Sequence, residues 1–177
     1  MPNISTLLQP DLVLGCPILG LTPEILQQQN LQGMILDVDE TLVPFNAADV
    51  SPELATWAAQ IRDLVPLWLV SNNTHSVRIG RIAKTLDLPY VASAGKPSRR
   101  KLRQAAADMD LPVDRIAMVG DRLFTDVLAG NRLGMFTILV EPMVDPSQEA
   151  TARPIHAVEV WISKRLGVSL LPQNPMI

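Results

Sequence analysis

The chain has 177 residues, 47% hydrophobic and 19% charged, with a formal net charge of −3. That length suits one domain with a sizeable core, and the apolar content excludes a disordered chain. The slightly acidic balance argues against a general nucleic-acid binder. The single cysteine, Cys16, excludes an internal disulfide and agrees with a reducing compartment. Its expected role is a small, buried or half-buried hydrophobe. No apolar run reaches the ~18 residues of a membrane span, and the N-terminus lacks the charged start of a secretory signal. A cytoplasmic protein is expected.

Residues 1–21 are apolar but broken by Pro10, Gly15, Pro17 and Gly20, so irregular structure with at most one short helix is expected. Thr22-Pro23-Glu24 is a helix start: an N-cap, Pro at the first helical position and an acid in the first turn. That helix ends near Asn30. Gly33-Met34-Ile35-Leu36-Asp37 reads as a buried strand, a continuous apolar run that delivers carboxylates at its end. Ser51-Pro52-Glu53 repeats the helix start, and Leu54, Trp57, Ala58 and Ile61 follow at core-face spacing. Leu67-Trp68-Leu69-Val70 is a second buried strand, ended by Ser71-Asn72-Asn73. The next helix places Ile79, Ile82, Ala83 and Leu86 on one face, and residues 89–92 form a weaker strand.

Gly95-Lys96-Pro97-Ser98 introduces a helix with Leu102, Ala105, Ala106 and Met109 inward. Ile116 to Val119 is a strand that runs into Gly120-Asp121. A helix from about Thr125 to Gly134 leads to the last strand, Phe136 to Val140. A terminal helix over 154–166 is expected to turn Ile155, Val158 and Ile162 inward. The domain should span 1–177, with its core over about 22–166 and a loose tail at 169–177. Strands alternating with single helices predict an α/β fold. The sheet is parallel and Rossmann-like, covered on both faces in three α/β/α layers, with right-handed crossovers.

Ligands bind beyond the carboxyl ends of such strands. Four strand ends there offer polar groups: Asp37, Asp39 and Thr41; Ser71 and Asn72; Lys96; and Asp121, Thr125 and Asp126. Three acids brought together would repel without a cation. Oxygen-only ligands, with no His or Cys cluster, point to Mg²⁺. An Asp can attack phosphorus, and a second carboxyl two residues on can protonate the leaving oxygen. Ser and Lys suit phosphate oxygens and developing charge.

These residues resemble the four motifs of the haloacid dehalogenase (HAD) superfamily. Asp37-Val38-Asp39-Glu40-Thr41 is similar to the first motif, Ser71 to the second and Lys96 to the third. The stretch Gly120-Asp121-Arg122-Leu123-Phe124-Thr125-Asp126 is similar to the fourth. More narrowly the chain looks like the YqeG-type phosphatases of subfamily IIIA, with Gly130-Asn131-Arg132 and Thr137 to Val140 inside the last matching block. The likeness covers roughly residues 20–142.

The resemblance implies Asp37 as nucleophile and Asp39 as general acid/base. It implies Asp37, the Asp39 backbone carbonyl, Asp121 and Asp126 around Mg²⁺, and Thr41, Ser71, Asn72 and Lys96 around the phosphoryl group. It also implies that Glu40, found where Asn or Gly is common, points away from the phosphate. An acid at position 39 favours phosphate-ester hydrolysis over dehalogenation.

Relatives often insert a cap domain between the first and second motifs or between the second and third. Neither Thr41 to Ser71 nor Ser71 to Lys96 leaves room for one. The expected site is therefore open. The same branch is similar to the phosphatidylglycerophosphate phosphatases, so a phospholipid headgroup is the implied substrate. Peripheral contact with an anionic membrane could come from the basic segment Arg78–Arg103, with eight basic residues against Asp87, or from the apolar N-terminus. Two alternatives stay open: a phosphatase of soluble small-molecule or nucleotide phosphates, and a non-catalytic, ribosome-associated scaffold.

Overall fold

A computed structural model describes residues 3–45, 47–143, 158–159, 161–162 and 165–172. Six parallel strands form one sheet in the order β1-β6-β5-β2-β3-β4. They are β1 (Leu12–Val13), β2 (Gly33–Leu36), β3 (Leu67–Val70), β4 (Tyr90–Val91), β5 (Ile116–Gly120) and β6 (Phe136–Leu139). The helices are α1 (Ile4–Leu8), α2 (Pro23–Gln28), α3 (Pro52–Arg62), α4 (Ser76–Leu86), α5 (Arg100–Asp108) and α6 (Leu128–Leu133). β2 lies at the centre, with Leu36 level with Leu69 of β3 and Val119 of β5.

Successive strand residues point to opposite faces, and the two faces fill separate cores. Met34, Leu36, Leu67, Leu69, Ala117 and Val119 pack with Trp57 and Ile61 of α3 and Ile79 and Ile82 of α4. Ile35, Val70, Ile116 and Met118 pack with Leu102, Ala105 and Ala106 of α5 and Ala129 of α6. This is the expected three-layer arrangement. The Ser51 hydroxyl caps α3 by accepting the Leu54 N–H at 3.1 Å, and the Trp57 indole donates to the Leu21 carbonyl at 2.8 Å.

The ends of the chain depart from expectation. Over residues 1–21, expected to be irregular with at most one short helix, α1 is such a helix, but Leu12–Val13 pair with Ile138–Leu139 as an edge strand. Asp11 and Asn131 explain the docking. The Asp11 carboxylate accepts the Thr137 N–H at 2.8 Å, and the Asn131 amide donates to the Leu7 and Gln9 carbonyls at 2.9 and 2.8 Å. Leu8, Leu12, Val13, Leu14 and Ile18 are buried, so the core begins well before residue 22.

Thr22 stands at the N-cap of α2, but its hydroxyl accepts no first-turn N–H. The helix expected from Thr125 begins only at Leu128, after one wide π-turn over Leu123–Val127. Within the expected terminal helix, Ile155 lies outside the described residues. Val158 is exposed and Ile162 half-buried, whereas Glu159 is buried. Of the tail, Ser169 is tied to Gln9 through its N–H and carbonyl, both at 2.9 Å, and residues 173–177 lie outside the described residues. Among the described residues, no helix is long and apolar enough to cross a membrane.

Candidate active site

Asp37 and Asp39 follow β2, Ser71 follows β3, and Asp121 follows β5, all at one edge of the sheet. Asp37 continues the ladder, donating its N–H to the Val119 carbonyl at 2.9 Å. Three residues on, Glu40 takes a left-handed conformation (φ 62°), and a bridge between Asp39 and Val43 closes a tight loop. The φ value explains why Asn or Gly is common there. Glu40 lines the cavity with Asp37 and Asp39.

Lys96 is the hub. Its ammonium lies 2.6 Å from Asp37 Oδ1 and 2.7 Å from Asp126 Oδ1, and donates to the Val70 carbonyl at 2.8 Å. Asp37 and the Val70 carbonyl accept two of its protons, and Asp126 stands at ion-pair distance. The Lys96 and Asp126 side chains are each only 1% exposed, so the charges are screened by one another rather than by water. Asn72 fixes this lysine from its backbone. Its amide donates to the Lys96 carbonyl at 2.9 Å and accepts the Lys96 N–H at 2.7 Å. Both ends of the Asn72 amide face Lys96, so its placement is that of a support for the lysine, while it still lines the cavity.

Thr41 is wholly buried and donates to Asp121 Oδ1 at 3.1 Å, with Asp37 Oδ2 at 3.5 Å. Its hydroxyl spans two carboxylates and does not line the cavity. Ser71 is likewise buried. It accepts the Asn73 N–H at 3.0 Å and faces Asp39 Oδ2 at 3.4 Å. Both hydroxyls, which the resemblance puts on the phosphoryl group, contact the acids here.

Asp126 reaches Lys96 because residue 120 is glycine. A Cβ there would run into the Asp126 carboxylate, with its Cβ only 2.7 Å away. The π-turn also contributes, because the Arg122 N–H donates to Asp126 Oδ2 at 3.3 Å and turns the side chain back toward the strand.

Asp37, Asp121 and Asp126 each offer a carboxylate oxygen within 4.8 Å of the others. Burial pushes the Asp37 carboxyl up to about 7; Lys96 opposes the rise, while Asp126 and Asp39 add to it. Burial, with Asp126, Asp37 and Glu40 nearby, pushes Asp121 well above the usual carboxylate range. Three buried carboxylates with one ammonium make a site short of positive charge. A hard divalent cation with oxygen ligands, such as Mg²⁺, fits that donor set. The Asp39 carboxylate is outside this trio.

Instead Asp39 lies 2.6 Å from the Arg78 guanidinium and accepts the Asn73 amide at 3.1 Å. Sequence reasoning missed Asn73, Arg78, Arg122 and Phe45 as site residues. Asn73 was visible in Ser71-Asn72-Asn73, and Arg122 in the stretch after Asp121. Arg78 had no signal beyond its charge. Buried Glu159 receives Arg122 Nη2 and the Leu123 N–H, both at 3.2 Å, and bolts the 121–123 loop to the C-terminal segment. The cavity over these groups measures about 230 Å³, and Phe45, 57% exposed, forms its one aromatic wall.

A family model described as HAD-hydrolase-like matches residues 93–160. The protein named Probable phosphatase YqeG of Bacillus subtilis is 35% identical over 127 residues, 71% of this chain and 73% of that protein. Phosphatidylglycerophosphate phosphatase 1 of the Chlamydomonas reinhardtii chloroplast is 28% identical over 160 residues, 83% of this chain but only 58% of that longer protein. Among solved structures, magnesium-bound HAD-hydrolase YfnB of Bacillus subtilis superposes with a TM-score of 0.50 at 11% identity. The superposition covers 62% of this chain and 86% of that one, and shows a common fold.

Proposed function

The chain belongs to the HAD-like hydrolases, with the YqeG-type phosphatases, and from that membership we propose that it is a Mg²⁺-dependent phosphomonoesterase. It works through an aspartyl phosphate, and its substrate is phosphatidylglycerophosphate, converted to phosphatidylglycerol. The observation that carries the chemistry is Lys96 seated between Asp37 and Asp126, with Asp121 beside them and Asp39 on the same cavity wall.

Lys96 and Thr41 hold the Asp37 carboxylate in place for attack on phosphorus. As the new Asp37 oxygen–phosphorus bond forms, the ester bond breaks and Asp39 gives its proton to the leaving oxygen. Asp39 then takes a proton from the water that attacks the aspartyl phosphate, which frees Asp37 and inorganic phosphate. Arg78, Asn73 and Ser71 keep the Asp39 carboxylate at the cavity. Lys96 offsets negative charge on the phosphoryl oxygens. Mg²⁺ held by Asp37, Asp121 and Asp126 would supply further charge to those oxygens.

The lipid assignment is supported by similarity to the plastid enzyme and by the short connections beside the site. The 40–50 loop and the 72–76 turn carry no cap, so a bulky ester can approach. Two observations favour a soluble phosphate ester as a second reading. The N-terminal segment is packed in the core and offers no membrane contact through Leu8, Leu12 or Leu14. The basic residues of 78–103 also divide between opposite sheet faces, with α4 on one core and α5 on the other.

The test is phosphate release with Mg²⁺ from phosphatidylglycerophosphate in mixed micelles and from a panel of soluble esters, with Asp37→Asn as blank. Preference for the lipid, lost in the blank, supports the full proposal. Turnover of soluble esters alone sinks the lipid assignment and keeps the phosphatase.

A further inference from the structure

The catalytic cavity, about 230 Å³, is smaller than the ~300–1,000 Å³ of ordinary small-molecule sites. It has room for a phosphoryl group and the first atoms of a leaving alcohol. The rest of the alcohol must lie outside, and on the side of Asp39, the acid that protonates the ester oxygen.

A second, open groove of about 650 Å³ lies over the first turn of α4, lined by Ala48, Thr74, His75, Val77, Arg78 and Arg81. Three connections join it to the cavity. Asn73 of the cavity is followed by Thr74 of the groove. Phe45 of the cavity and Ala48 of the groove stand three positions apart in the chain. Arg78 spans both, pairing with Asp39 at 2.6 Å and donating from Nε to the Ala47 carbonyl at 2.7 Å.

The two spaces differ in charge. The cavity is walled by three acids, Asp37, Asp39 and Glu40, against Lys96 and Arg122, whereas none of the groove's lining residues is acidic. Its charged residues are Arg78 and Arg81, and the first turn of the 11-residue α4 carries no acid to offset its positive end. Arg81 has one carboxylate partner, Asp49 at 3.3 Å, and both side chains are mostly exposed, so the pair is weak and easily exchanged.

Resting on the phosphatase reading above, we infer that this groove is the subsite for the leaving alcohol and selects an alcohol carrying a second anionic group of phosphate type. Arg81 reads that group, and Val77, 87% exposed on the groove wall, flanks it. The groove thus confers selectivity that the catalytic cavity, with its excess of acids, does not provide.

Two charge reversals test this, Arg81→Glu and Val77→Glu. Both positions are exposed and outside the catalytic machinery. The substrates are glycerol 3-phosphate, whose leaving alcohol is neutral, and deacylated, water-soluble phosphatidylglycerophosphate, whose leaving alcohol keeps a phosphodiester. Each variant is expected to raise KM for the second by about tenfold at low salt, with kcat unchanged and glycerol 3-phosphate unaffected. Titration of glycerophosphoglycerol, the alcohol alone, into wild type and variants reads the groove without turnover, so a failed phosphatase reading stays separable. Binding weakened by both reversals supports the subsite. Equal KM changes on both substrates, no change on either, or glycerophosphoglycerol binding indifferent to both variants would overturn it. Sensitivity confined to micellar lipid would overturn it in favour of a membrane contact.

Discussion

Replacing Lys96 by Met removes the one ammonium from a site that keeps three buried carboxylates. The lysine side chain is 1% exposed and lies between Asp37 and Asp126, whose side chains are 10% and 1% exposed. Removing one partner of a buried pair strands the other charge and costs about 3–5 kcal/mol. Part of that is relieved by protonation, because Asp37 already sits near 7 and takes up a proton cheaply. Asp126 Oδ1 loses its 2.7 Å ion-pair contact with Lys96. Against a total stability of about 5–15 kcal/mol the loss is large.

For a domain of this size it corresponds to a fall in Tm of roughly 6–20 °C. The assay is thermal and urea denaturation in EDTA, repeated with Mg²⁺. Mg²⁺ is expected to restore part of the stability, because it supplies the missing positive charge, while phosphatase activity stays lost. A Lys96→Met protein with wild-type Tm in EDTA would refute the reasoning, since the carboxylates would then need no cation.

Gly120→Ala is expected to displace Asp126 from Lys96 and to lower both activity and Mg²⁺ affinity, which isothermal titration would read as a weaker Kd. Metal-free stability should fall as pH rises from about 4 toward 7 and above. Asp37 and Asp121 have folded-state pKa values raised above their unfolded ones, so the folded form binds more protons across that window and loses them at its upper end. Stabilisation by Mg²⁺ should accordingly grow from pH 5 to pH 8, and a Tm shift independent of pH would contradict the arrangement. Glu159→Ala should cost about 1–3 kcal/mol by leaving the buried Leu123 N–H unpaired. Its kcat/KM should fall more than that of an equally destabilised core variant if Glu159 holds the Asp121 loop in place.

The sequence by itself determined the strands other than β1 and most helices, because each carries its own pattern. Gly33 to Leu36 and Ile116 to Val119 are uninterrupted apolar runs, and Leu54, Trp57, Ala58 and Ile61 repeat at helical spacing. It also determined the candidate acids and Lys96, because parallel strands must end on one edge and those residues stand at the strand ends. Tertiary structure alone decided what periodicity cannot encode. Leu12–Val13 became a strand because Asp11 and Asn131 tie it to β6, a contact more than 120 residues apart in sequence. Val158 faces out and Glu159 in because Arg122 and the Leu123 N–H offer a charged, hydrogen-bonded seat worth more than one apolar contact. Thr41 and Ser71 contact the carboxylates of Asp121 and Asp39 because buried acids take the nearest donors, and packing decides which donors are nearest. Arg78 left its expected basic patch for Asp39 for the same reason: a half-buried charge pairs with the nearest opposite charge, and which charge is nearest is set by packing rather than by the local sequence.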